Sequence, residues 1–183
     1  MSDYEQGYKD CADEILAYID RTYKFTPQGV EEVLADICKQ LIKRRGRSMQ
    51  AEFIKPYVLA GKAIFTLYSS KIDKRYTYKV RKDKHCTGRY FVDVLFGQDN
   101  TQDYRFLGWF YDGDYDMFSS IKACTTREDI RYRMIDKFLD FVRDEQYPAT
   151  CVVYPSGRCA RCGRLLTTPE SIERGLGPEC YKR

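Results

Sequence analysis

The sequence predicts an α+β fold. An antiparallel β-sheet packs with a helix, an N-terminal helical hairpin precedes it, and a ribbon-like cysteine-knuckle module follows. Three observations predict this. Four runs between residues 62 and 111 are rich in β-branched and aromatic residues, with connections too short for crossover helices. Apolar residues recur at helical spacing on both sides of that stretch. Three of the eight cysteines lie between Cys159 and Cys180. The expected divisions are residues 1–46 for the hairpin, 50–147 for the sheet and helix, and 148–183 for the knuckle module.

The hairpin begins with a helix over residues 4–20, where Tyr8, Cys11, Ile15 and Ile19 share one face. Thr26 as N-cap and Pro27 at the first helical position start a second helix, reaching about Arg44. Its stripe is Val30, Val33, Ile37 and Leu41, and Lys43 and Arg44 sit where the helix dipole favours cations. This pair is expected to pack or self-associate. Residues 46–50 read as a short polar linker.

The strands are expected at residues 63–69, 75–81, 90–96 and 104–111, in the order of a simple meander. Residues 75–81 alternate, with Tyr76, Tyr78 and Val80 on one face and Arg75, Thr77, Lys79 and Arg81 on the other. A small extra strand is expected at 115–118. Thr126 to Asp129 resembles a capping box with Asp in place of Glu, opening a helix to about Asp144 whose stripe is Ile130, Met134, Phe138 and Phe141. That helix should lie across one face of the sheet. Pro148 ends it, and residues 150–154 read as a strand leading into the tail.

Composition narrows the class. A hydrophobic content of 43% supports a real core. No run approaches 18 apolar residues, so no membrane span is expected, and the polar N-terminus lacks a signal-like apolar region. The expected compartment is the cytoplasm, where scattered thiols such as Cys86 and Cys124 stay reduced. The net charge of +4 conceals a strong asymmetry. Residues 39–89 hold 15 basic and 3 acidic side chains, net +12, between segments of net −6 (residues 1–38) and −5 (residues 90–145). Such a block is either a footprint for a polyanion or a solvated surface balanced by its acidic neighbours.

The tail carries the one explicit chemistry. Cys159 and Cys162 have the Cys-x2-Cys spacing that grips one Zn²⁺ from a tight turn, and Cys180 can return to the same ion. Gly163 lets the backbone fold back so that amides reach the sulfurs. Thr168 and Pro169 start a short helix that Gly175 ends. These signals describe a closed, structural Zn²⁺ site. A redox Cys-x-x-Cys is the competing reading, but the βαβ context is missing and a third cysteine follows.

The run from Arg161 to Cys180, with its Cys-Gly-Arg-x-Leu-Thr-x-Pro-x-Ser-Ile-x-x-Gly-x-Gly-Pro-x-Cys character, closely resembles a small zinc-binding domain of unknown function. That domain is widespread in bacteriophage and bacterial proteins. Residues 62–67, 76–81 and 97–108 resemble the sheet domain that accompanies it, so the likeness covers about residues 50–183. The resemblance implies zinc binding and a phage or mobile-element origin, and it brings no known activity. In the domain it resembles, a His stands four residues before the first knuckle cysteine; here that position is Pro155. Cys151 is the first candidate for the fourth ligand. His85, Cys86, Glu179 and a water are the others.

An enzyme is not expected. The chain has one His and no His-Glu-x-x-His, no phosphate-binding loop and no Gly-x-Ser-x-Gly. Asp112, Asp114 and Asp116 could share a strand face and bind Mg²⁺, but read more simply as an exposed turn. The expected function is a non-enzymatic accessory protein that binds nucleic acid through Arg75, Lys79, Arg81, Lys82 and Lys84, with Tyr68 and Tyr90 nearby and Arg161 and Arg164 on the zinc module. The alternative is a protein-interaction module, such as a phage inhibitor of a host enzyme or defence system of anti-CRISPR or anti-restriction type. The acidic turn and the N-terminal helices would be its contact surfaces.

Overall fold

Alternating apolar side chains pair into a five-stranded sheet, as seen in the computed structural model, which describes residues 48–182. These belong to the second of two units, Gly46–Arg183. The expected hairpin of residues 1–46 lies outside the described residues. The elements are α1 (Ala51–Val58), β1 (Lys62–Ser69), β2 (Lys74–Lys82), β3 (Arg89–Leu95), β4 (Tyr104–Tyr111), α2 (Ile130–Asp144), β5 (Cys151–Pro155), α3 (Pro169–Arg174) and α4 (Pro178–Tyr181). The strand order is β4-β3-β2-β1-β5, every neighbour antiparallel. β1 to β4 thus form the expected meander, and β5 adds to its open side.

The inner face follows from the alternation. Ala63, Phe65 and Leu67 of β1, Tyr78 and Val80 of β2, and Val92 and Val94 of β3 are fully buried. α2 covers this face. Its Phe138 ring meets Phe65 at 5.5 Å between centroids, and the Tyr78 hydroxyl donates to the Arg131 carbonyl at 2.8 Å. Burying one such ring is worth about 2–3 kcal/mol. Two hydroxyls that enter this core find acceptors: Tyr132 donates to Met117 O (2.7 Å) and Tyr90 to Leu59 O (3.1 Å). The burial cost of each polar end is thereby offset.

The helix start differs from the expectation. α2 begins at Ile130, and Asp129 is its N-cap, accepting from the Arg131 amide at 2.7 Å. Thr126 lies one turn earlier, where its carbonyl accepts from the Asp129 amide at 3.2 Å. The acidic side chain caps the helix itself instead of reciprocating a threonine cap.

Three further differences bear on the site. α1 was not expected: the sequence reading passes from the linker at 46–50 to the strand at 63–69, and the helix between them contains Pro56. Burial of Ile54, Tyr57 and Val58 against the start of the sheet holds it. Met49, in the expected polar linker, is buried, and its amide donates to Val153 O at 2.8 Å. The expected strand at 115–118 reduces to one bridge, Trp109 with Phe118, which shields the outer edge of β4. The fifth strand is β5, paired with β1 from Phe65↔Pro155 to Ser69↔Cys151. It ties residues expected in the knuckle module into the sheet.

Candidate functional site

β5 delivers the chain to the knuckle at one end of β1. Ser156 N donates to Ile64 O (3.0 Å), and Lys62 N donates to Ala160 O (2.6 Å). Between them the chain makes a tight hairpin. Cys159 N donates to Arg164 O at 2.8 Å, Leu166 N to Gly157 O at 2.9 Å, and Arg158 bridges to Leu165. Gly163, at φ 81°, closes the turn through its amide on Cys159 O at 2.8 Å. α3 then follows its N-cap Thr168, and Gly175 caps its end at φ 67°. Gly177 and Pro178 open α4, which carries Cys180 back.

The three sulfurs of Cys159, Cys162 and Cys180 converge within 4.8 Å of one another. Tetrahedral Zn²⁺ with bonds of about 2.3 Å sets sulfurs roughly 3.8 Å apart, so the donor set fits a thiophilic divalent ion after a small contraction. The Gly177 amide donates to Cys159 Sγ at 3.5 Å, the kind of bond that orients a ligating sulfur. Burial raises the Cys159 thiol, but the amides of Cys162, Gly177 and Arg161 outweigh it and pull it down to about 7. Cys180 is pushed up to about 11 by burial and by the neighbouring sulfurs of Cys159 and Cys162.

The module is seated on the sheet by packing. Cys159, Ala160, Leu166 and Leu176 are buried. Ala160 N donates to Gly175 O at 3.0 Å. Gly175 lies so close to the Tyr57 ring that a methyl group there would run into it. The Tyr57 hydroxyl, on the same side, donates to Ile64 O at 2.5 Å.

The structure does not bring Cys151 to this cluster. Pairing with β1 puts Cys151 opposite Ser69, while the knuckle meets β1 at Lys62. Seven residues of strand separate those ends, on the order of 23 Å. Burial raises the Cys151 thiol to about 11, as for a packed cysteine. The register of β5, which the spacing of the cysteines does not reveal, decides the matter. His85 and Cys86 lie in the β2–β3 connection, Glu179 is exposed, and none joins the three sulfurs. Among the described residues the cluster has three candidate ligands.

The second feature of the site is the outer face of the sheet, opposite α2. Arg75, Thr77, Lys79 and Arg81 point there as the alternation predicts. Their surroundings separate them. Arg81 makes a two-pronged ion pair with Asp93, at 2.6 and 3.0 Å. Asp93 is only 6% exposed, so this guanidinium is largely neutralised. Lys79 stands 5.3 Å over the Tyr104 ring. Arg75, Lys82 and Lys84 are exposed, as are Arg161 and Arg164 on the knuckle. Tyr68 is half-buried on the outer face, with its hydroxyl on Asp73 at 3.1 Å. Tyr90 is on the wrong side: it is buried, stacked on Phe110 at 5.2 Å. Sequence reasoning missed Phe91 and Trp109, which occupy the outer face in register with each other. Period-two alternation against the buried Val92 and Phe110 could have found them.

Asp112, Asp114 and Asp116 do not share a strand face. They follow β4 in a turn with Gly113 at φ 101° and Tyr115 at φ 63°. The Tyr115 hydroxyl donates to Asp112 (3.1 Å), and Asp116 faces Arg143 at 3.6 Å.

Residues 149–183, which span β5 and the knuckle module, match the model of a family of unknown function (DUF6011). Neither the curated proteins nor the solved structures give a match to the chain. No helix among the described residues is long and apolar enough to cross a membrane.

Proposed function

We infer that this is a non-enzymatic, zinc-stabilised accessory module that binds nucleic acid through the outer face of its sheet and the adjoining knuckle. The reading is carried by one observation. The helix occupies the apolar face, the opposite face presents Arg75 and Lys79, and Lys82, Lys84, Arg161 and Arg164 are exposed at the end of β2, in the β2–β3 connection and on the knuckle. Zn²⁺ held by Cys159, Cys162 and Cys180 is structural in this account: it fixes a tail with too few apolar residues to fold alone. A thiolate site of this kind suits a reducing cytoplasm, which for a phage-borne protein is the host's.

Elemental analysis of protein purified without a metal-affinity tag should give one Zn²⁺ per chain, and Cys162→Ser should remove it. Fluorescence anisotropy with random-sequence oligonucleotides at 50 mM salt tests the binding. Four phosphate contacts, from Arg75, Lys79, Lys82 and Lys84, give a log–log salt slope of roughly −2.8 on single strands and −3.6 on duplex. No binding at that salt would end the nucleic-acid reading and leave a protein partner for the same half-exposed surface.

A further inference from the structure

This inference rests on the nucleic-acid reading and narrows it to one kind of strand. The outward side chains of β1 to β4 line up in a single cross-strand row, Lys62↔Arg81↔Phe91↔Trp109, which the bridge extends to Phe118. The Trp109 ring lies near-parallel to Phe118 on one side, at 6.0 Å and 16°, and to Phe106 on the other, at 6.5 Å and 11°. Phe106 meets Phe91 edge-on at 6.1 Å. All four rings are half-exposed, although α2 has filled the other face. The core does not explain a strip of aromatic rings kept in contact with water, and such strips mark binding surfaces.

Positive charge surrounds the strip. The Arg81 and Arg89 guanidinium groups lie over Phe91 at 5.5 and 5.2 Å. Lys84 is exposed in the β2–β3 connection, and Lys62 ends the row where the knuckle meets the sheet. Two carboxylates lie by these guanidinium groups, Asp93 paired with Arg81 and Asp83 paired with Arg89. Cations complement phosphates, and flat rings complement unstacked bases. A duplex offers the phosphates but hides the base faces, whereas a single strand offers both. We propose that Trp109, flanked by Phe91 and Phe118, is a stacking platform for the bases of single-stranded nucleic acid whose phosphates follow Lys62 and Lys84.

Trp109 is the only tryptophan of the chain, so its emission reports directly on the platform. The full chain is titrated with a 20-mer oligo(dT), a 20-mer oligo(U) and a 20-base-pair duplex, following tryptophan emission and the anisotropy of labelled strands. The expected result is quenching by the single strands and binding at least about tenfold tighter than to duplex. Trp109→Leu should lose at least about tenfold on single strands, and Trp109→Phe should keep most of the affinity. Thermal melts show whether each variant is folded; if Trp109→Leu is not, the wild-type quench and Trp109→Phe carry the test. Duplex binding equal to or tighter than single-strand binding overturns the platform. So does single-strand binding that leaves the emission unchanged. Either result leaves phosphate binding by the lysines standing. No binding to any strand removes both readings.

Discussion

Gly175 decides how the knuckle module meets the sheet. It holds a left-handed φ of 67° and sits against the rim of the buried Tyr57 ring, so a side chain there is opposed twice. Gly175→Ala combines left-handed strain of about 1 kcal/mol with overpacking of about 1–3 kcal/mol. Chemical denaturation should show a loss of roughly 2–4 kcal/mol. Gly113→Ala is the control, since Gly113 shares the positive φ but has open space around its α-carbon, and it should lose only about 1 kcal/mol. Asp129 offers a second residue-level test. Burial works against its charge, but the Arg131 amide and guanidinium win and hold the carboxyl below its ordinary range. A depressed folded value adds stability above the unfolded value of about 3.9, and that stability is lost as pH falls through the folded one. Asp129→Ala should therefore cost about 1 kcal/mol at pH 7. The gap to wild type should narrow as pH falls below the unfolded value of about 3.9 and on through the folded one, in urea titrations run at stepped pH.

The elements differ in how far the sequence discloses them. β2 was legible because its seven central residues alternate strictly, and β1, β3 and β4 because turn residues bound them. α1 was hidden by Pro56, whose lost hydrogen bond is outweighed by the packing of Tyr57 and Val58, a tertiary effect with no local signal. In the candidate metal site, the spacing of Cys159, Cys162 and Cys180 disclosed three cysteines that the structure does bring together. The spacing could not show that Cys151 pairs across from Ser69, because partner choice on a sheet edge is non-local. That pairing has a measurable consequence. β5, the knuckle and α3 are linked to β1 and α1 through Lys62, Ala160, Gly175 and Tyr57. Removing the metal should therefore weaken the sheet as well as the tail. Calorimetry of residues 46–183 in the full chain, with and without a strong chelator, should show the sheet transition itself moving down by several degrees. An unmoved sheet transition beside a lost tail transition would show the two to be uncoupled.

Across the whole molecule, charge was legible in amount but not in availability. The net +12 of residues 39–89 counts Arg81 and Arg89 alongside Lys82 and Lys84. The structure pairs Arg81 with Asp93 and Arg89 with Asp83, two acids on neighbouring strand and turn positions that a linear count cannot match to them. In the nucleic-acid reading Asp93, by holding Arg81, would restrain the outer face, and Asp93→Asn tests it. The amide oxygen can still accept one bond from Arg81, so its burial is not left wholly unsatisfied. Arg81 is 43% exposed and can recover hydration, which limits the cost to the fold. The chain's net charge rises from +4 to +5, with the new charge beside Phe91. Binding to single strands should tighten, and the salt slope should steepen by about 0.7, the contribution of one added phosphate contact. Anisotropy titrations at three or more salt concentrations, on wild type and Asp93→Asn in parallel, measure both quantities. An unchanged slope in a variant whose melting curve matches wild type would place the phosphates away from Arg81 and off this face of the sheet.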